Sequence, residues 1–272
     1  MTTLDTVRAY GIPNGTGAGV KIGVISLGGG WLTSDFDRSM QDLGLSSAIT
    51  SADIRTVCIG PATNNYNGDS ASVENTLDLY CVASVAPKAS ITLYIGVNNV
   101  YGFDAAIARA VSDGCDIISI SWGLQEAFAT FVNPPFNLIE PRLQQAVAAG
   151  ITVFVASGDY GSAATANLPF GVQYPASSPN VIAVGGTYLL LYPDGSIQSE
   201  TPDVFSGGGI SALFSAPSWQ QGLTYKSTKD GGVTSKTLPL LNRGLPDISA
   251  PMNGYALYVG GNIEIWGGTS AA

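Results

Sequence analysis

Short β-rich runs and helical patterns take turns along this chain, and that alternation constrains the fold more than any other feature. Lys21-Ile22-Gly23-Val24-Ile25-Ser26 reads as a strand that runs into the Leu27-Gly28-Gly29-Gly30 turn. Segments 54–59, 91–95, 116–122, 151–156 and 181–184 repeat the strand signal. Between them, 73–84 carries Val73, Leu77 and Tyr80/Cys81 at helical spacing, and Pro87 stops it. Segments 36–43, 103–111 and 138–149 also read as helices, the last closed by Gly150. Such alternation predicts an α/β fold with a mostly parallel central sheet flanked by helices and joined by right-handed crossovers. Functional residues of these sheets collect beyond the C-terminal ends of the strands. The loops after Ile25, Ile120 and Val155 are therefore where chemistry is expected. From Tyr188 to Gln220 the pattern breaks into Gly-rich, hairpin-like pieces, with Pro193-Asp194-Gly195 as a turn. No repeat or low-complexity linker divides the chain, so residues 1–272 read as one domain.

Composition narrows the function classes. Charged residues are only 11% of the chain, well under the usual quarter, and the formal net charge is −9. Lys and Arg form no cluster, which argues against nucleic acid or an anionic membrane as partner. Low charge with abundant Gly, Ser, Thr and Asn suits an exported hydrolase, so an extracellular or acidic compartment is expected. The opening stretch is polar rather than a signal peptide, and no apolar run has transmembrane length. The three cysteines show no metal or redox spacing. Cys81 and Cys115 lie in apolar segments and read as buried free thiols, while Cys58 stays open.

The chain contains no histidine. A serine nucleophile here must therefore find a base other than imidazole. Gly267-Gly268-Thr269-Ser270 turns sharply into small residues, a setting for a reactive hydroxyl, although Gly-Thr-Ser alone is a weak signal and reads first as a helix cap. Glu74 and Asp78 stand four residues apart, on one face of a helix. Buried together they share a proton and supply a base suited to about pH 3–5; exposed, they are two solvated carboxylates. Asp159, in Ala156-Ser157-Gly158-Asp159-Tyr160-Gly161, follows the most apolar strand; it is either a turn residue or, when protonated, a donor to a developing oxyanion. Ile118-Ser119-Ile120-Ser121-Trp122-Gly123 is a core strand or a strand whose Ser121, Trp122 and Gly123 pair with an extended peptide.

Taken in order, the Glu74/Asp78 pair, ISISWG, ASGDYGS, SGGGISALFSAPSWQ, RGLPDISA and GGTSAA make the chain resemble the sedolisins, the serine-carboxyl peptidases, and among them the kumamolisin-like members. The resemblance runs from about Thr3 to Ala272. It implies a subtilisin-like fold with about seven strands and endopeptidase cleavage of proteins in acid through an acyl-enzyme. It implies Ser270 as nucleophile, Glu74 as base, Asp78 as its orienting partner and Asp159 as oxyanion donor, with a polypeptide as substrate.

Two departures qualify the resemblance. Where relatives end the first strand in a glutamate linked to the tryptophan of the SWG segment, this chain has Ser26. The family also continues past the serine into a helix and an aspartate-rich calcium loop. The expectation is therefore a domain incomplete at its C-terminal end and without a pro-segment. Calcium belongs to the full-length family, but its ligand segment is absent here and no other metal site is expected. A second chain is the candidate source of the missing part. The alternative is a non-catalytic sedolisin-like protein acting in assembly or binding, which Ser26 favours and the joint presence of four acid-site residues disfavours. A Ser-His-Asp lipase or esterase is excluded by the missing histidine.

Overall fold

The computed structural model describes residues 1–13, 16–127, 135–162, 171–229 and 234–272. Seven strands form its central parallel sheet. β1 (Lys21–Leu27), β2 (Arg55–Cys58), β3 (Ser90–Gly96), β4 (Ile117–Ile120), β5 (Thr152–Ala156) and β6 (Ile182–Leu191) come first in the chain. The antiparallel strand β7 (Ile197–Pro202) then folds back on β6 through the expected turn at Pro193-Asp194-Gly195. A short antiparallel pair, β8 (Gly209–Ser215) with β9 (Asn242–Leu245), precedes the last sheet strand, β10 (Ile248–Pro251). The parallel order is β10-β6-β5-β4-β1-β3-β2. The chain leaves β1 for the edge at β2, returns through β3, and crosses to the other side of β1 at β4. That reversal lies at β1, where α/β sheets open a crevice.

The helices described in full that cover the sheet are α1 (Thr3–Ala9), α2 (Thr33–Asp42), α3 (Ser70–Val85), α4 (Val100–Ser112) and α5 (Pro135–Ala148). Alternation along β1 divides the core into two layers. Ile25 and Leu27 join Ile118, Ile120, Val153 and Val155 beneath Phe103 and Ile107 of α4 and Ile139 and Leu143 of α5. Ile22 and Val24 join Ile91, Leu93 and Ile95 beneath Phe36 and Met40 of α2 and Leu77 and Tyr80 of α3. Ser26 belongs by register to this second face.

The hairpin of β11 (Tyr255–Val259) and β12 (Asn262–Trp266) completes that layer by burying Tyr255, Leu257 and Val259. β12 then delivers Gly267–Ser270 to the sheet. The expected elements at 73–84, 91–95, 103–111 and 151–156 are all present, each within a few residues of its expected ends. α1 was not expected. It is short and polar, and its stabilising signal is local: a capping box in which Thr2 and Asp5 exchange side-chain and backbone bonds. Cys115 is buried, Cys81 partly buried and Cys58 exposed, all as free thiols. Among the described residues no helix is long and apolar enough to cross a membrane.

Candidate active site

α3 is a buried helix rather than a surface one. Asp69 caps it, its Oδ1 accepting from the Ser72 N–H at 2.8 Å. The glycine turn after β1 presses against this first helical turn. Gly29 has φ +65°, and a Cβ there would stand 2.5 Å from the Ser72 nitrogen. Only glycine allows that approach, and it sets α3 at the C-terminal end of β1. Four residues of spacing then aim Glu74 and Asp78 the same way.

Asp78 is 3% exposed. Its Oδ1 accepts from the Ser121 hydroxyl at 2.7 Å, just beyond the end of β4. Its Oδ2 is buried without a donor among the described groups, and so is Glu74 Oε1. Glu74 interacts through its carboxyl with Asp78 and with the hydroxyl of Ser270. Two acceptor oxygens facing each other indoors are compatible only if a proton lies between them. Burial pushes Asp78 well above the usual carboxyl range, and the neighbouring Glu74 pushes it further. Burial also raises Glu74, against the lowering effect of hydrogen bonds from Ser270 and Asp78. Burial is the first cause of both rises, so the two carboxyls hold one shared proton between them.

Ser270 approaches from the opposite direction. Gly268 has φ +111°, and a Cβ on it would lie 2.6 Å from Asp159 Oδ2. The loop is pinned by the Gly268 N–H on the Met252 carbonyl, 3.0 Å. Asp159 Oδ1 accepts from both the N–H (2.7 Å) and the Oγ1 (2.8 Å) of Thr269, and Thr269 Oγ1 accepts in turn from the Gly158 N–H at 3.0 Å. The Asp159 loop is held from behind as well: the Ser157 hydroxyl donates to the Gly207 carbonyl at 2.7 Å, and the Gly207 N–H donates to the Gly158 carbonyl at 2.6 Å.

Four residues singled out in the sequence thus meet at one place: Glu74, Asp78, Asp159 and Ser270, drawn from α3, the β5 end and the β12 end. Ser121, expected to contact substrate, turns its side chain to Asp78 instead. Trp122 packs against the core with its indole N–H buried and without a partner among the described residues, and Gly123 lies against Gln173 and Tyr174. β4 is an interior strand, so an extended peptide cannot add to it within the sheet. Ser26, fully buried, bonds to the Asn75 side chain, and Asn75 Nδ2 donates to the Gly28 carbonyl at 3.1 Å. It takes no part in the carboxyl pair. Sequence reading missed Ser121 and Thr269 as partners because their contacts span 43 and 110 residues.

Residues 56–272 match the Subtilase family, Peptidase S8. The chain belongs to the subtilase family. It is 35% identical to kumamolisin of Bacillus sp. (strain MN-32), across 99% of this chain and 50% of that protein. It is 30% identical to sedolisin of Pseudomonas sp. (strain 101), across 94% of this chain and 45% of that one. The chain therefore spans about half the length of the curated relatives it matches. The solved structure of Pseudomonas sedolisin, a serine-carboxyl proteinase complexed with two molecules of pseudo-iodotyrostatin, superposes with a TM-score of 0.80 at 27% identity, covering 99% of this chain and 76% of that one. The subtilisin-like fold and the sedolisin resemblance of the family member are both borne out. Among the described residues no three His, Cys, Asp or Glu side chains gather as a group that could hold a metal ion.

Proposed function

We propose that the chain is the catalytic domain of an acid-acting serine-carboxyl endopeptidase. The observation that carries this reading is the buried Glu74–Asp78 pair in contact with the Ser270 hydroxyl, in a chain with no histidine. Ser270 Oγ attacks the carbonyl carbon of the scissile peptide bond, and its proton passes to Glu74. Asp78 keeps its own proton on the side facing Glu74 and so holds the base in one orientation. The carbonyl electrons move onto oxygen, where Asp159 in its protonated form donates from Oδ2, since Oδ1 is already taken by Thr269. The tetrahedral adduct collapses, the C–N bond breaks, and the departing amine takes the proton from Glu74. Water then attacks the Ser270 ester with Glu74 again as base, releasing the acid and restoring the hydroxyl.

A carboxylate base in place of an imidazole suits activity in acid. An extended polypeptide is the substrate, approaching along residues 121–123, and an acidic extracellular or lysosome-like setting fits the chemistry. The test is hydrolysis of an unfolded protein at about pH 4 and about pH 7.5 by the chain and by Ser270→Ala. Cleavage confined to acid and lost in the variant supports the reading. A well-folded protein that cleaves at neither pH points to a binding role instead.

A further inference from the structure

The Ser121 hydroxyl occupies one oxygen of Asp78 and no other part of the proposed mechanism. Ser121 follows β4, which is hydrogen-bonded on both sides, to β1 and β5, so its hydroxyl sits at a rigid strand end. Asp78 has two oxygens, and only Oδ2 can face Glu74 Oε1 with a proton between them. If Oδ1 were free, the proton could ride there and Glu74 would lose its donor. Ser26, at the end of the neighbouring strand, cannot substitute, because its hydroxyl is committed to Asn75.

We propose that Ser121 is a positioning residue: by donating to Asp78 Oδ1 it assigns the shared proton to Asp78 Oδ2, against Glu74 Oε1, and leaves Glu74 Oε2 facing Ser270. This rests on the peptidase reading for its kinetic consequence; the proton placement rests on the Ser121 bond to Asp78 Oδ1 and on the two buried oxygens, Asp78 Oδ2 and Glu74 Oε1, left without a donor among the described residues. Besides each other, the groups that act on the pair are Asp159 from the β5 end and the hydroxyls of Ser121 and Ser270, while Cys81 on α3 is itself raised by the pair. The titratable ones are all acidic, so only the hydroxyls and the shared proton relieve the crowding. Removing the Ser121 donor makes both carboxyls harder to ionise, which agrees with the lowering effect of that hydroxyl on each.

The test follows the buried carboxyls directly, by difference infrared titration of the full chain, beside the pH dependence of kcat/KM on a peptide substrate. Ser121→Ala is expected to move the carboxyl titration and the acid limb of kcat/KM upward together by about one pH unit, the range set by a hydrogen bond to a charged group. Ser121→Cys, a weaker donor of similar size, is expected to move both in the same direction by less, and Ser121→Thr, which keeps the hydroxyl, to return both. A carboxyl titration unmoved in Ser121→Ala and Ser121→Cys, with circular dichroism unchanged, overturns the proposal. So does a Ser121→Thr variant displaced as far as Ser121→Ala, since that outcome means packing rather than donation. A chain without peptidase activity whose carboxyl titration still shifts in Ser121→Ala upholds the positioning role and sinks the peptidase reading instead.

Discussion

Asp78 and Asp159 are solved by the same local device. Each has one carboxyl oxygen tied to a neutral donor, Ser121 in one case and Thr269 in the other, so any proton it carries is forced onto the remaining oxygen. In the proposed mechanism one proton then faces the base and the other faces the place where an oxyanion forms. Glu74→Gln keeps the shape of the side chain and removes the base; kcat/KM is expected to fall by about 10²–10⁴-fold. Ser26→Ala, whose partner is Asn75, is expected to stay within a few-fold of the parent, and equal effects of the two changes would contradict the assignment of the base. Asp159→Ala is expected to lower kcat by about 10²–10³-fold with a small change in KM, the pattern of a group that acts on the transition state. The acid pair itself was legible because four-residue spacing on a helix is a local signal. The residues that orient each carboxyl were not, because serine and threonine are common everywhere and only the fold brings these two close.

At the scale of elements, the site depends on where α3 and the two serine-bearing loops are clamped to the sheet. Strand–helix alternation gave away the parallel sheet, since apolar runs buried on both faces need no partner information to be recognised. α1 and the β11/β12 hairpin escaped, being a seven-residue polar helix and a pair of strands whose outward face carries exposed Ile263 and Ile265. The segment 243–247 drew no chemical role from its sequence, and the structure gives it a mechanical one. Arg243 is fully buried and forms a two-pronged pair with Asp247, at 2.7 and 2.5 Å, while Asp247 also accepts from the Ala183 N–H of β6 at 2.8 Å. That pair docks β10 beside β6. Asp247→Ala would strand a buried guanidinium, and urea unfolding is expected to show a loss of about 3–5 kcal/mol. A loss under about 1 kcal/mol would mean the pair is not the clamp.

Across the whole molecule, the absence of histidine removes the side chain that ordinarily titrates between pH 5 and 8. Carboxyls are then the groups that titrate in the acid range, and those shifted by folding make stability depend on pH there. Both Glu74 and Asp78 are raised in the folded state, chiefly by burial, so folding favours their protonated forms. The stability they contribute is fully present below the ordinary carboxyl range and is lost as pH rises through their folded values. Thermal unfolding should therefore give a Tm that falls from about pH 4 toward neutrality, and Asp78→Asn should flatten that decline; an equal slope in parent and variant would remove the pair from the account. The single measurement closest to the central claim is the mass of the protein during turnover. With a peptide ester in acid, rapid quenching and peptide mapping should find the acyl group on the fragment containing Ser270 in the parent and in Ser26→Ala, and neither quickly nor abundantly in Glu74→Gln. Acylation of Ser270 at an unchanged rate in Glu74→Gln would show that the hydroxyl is activated by something other than the carboxyl pair.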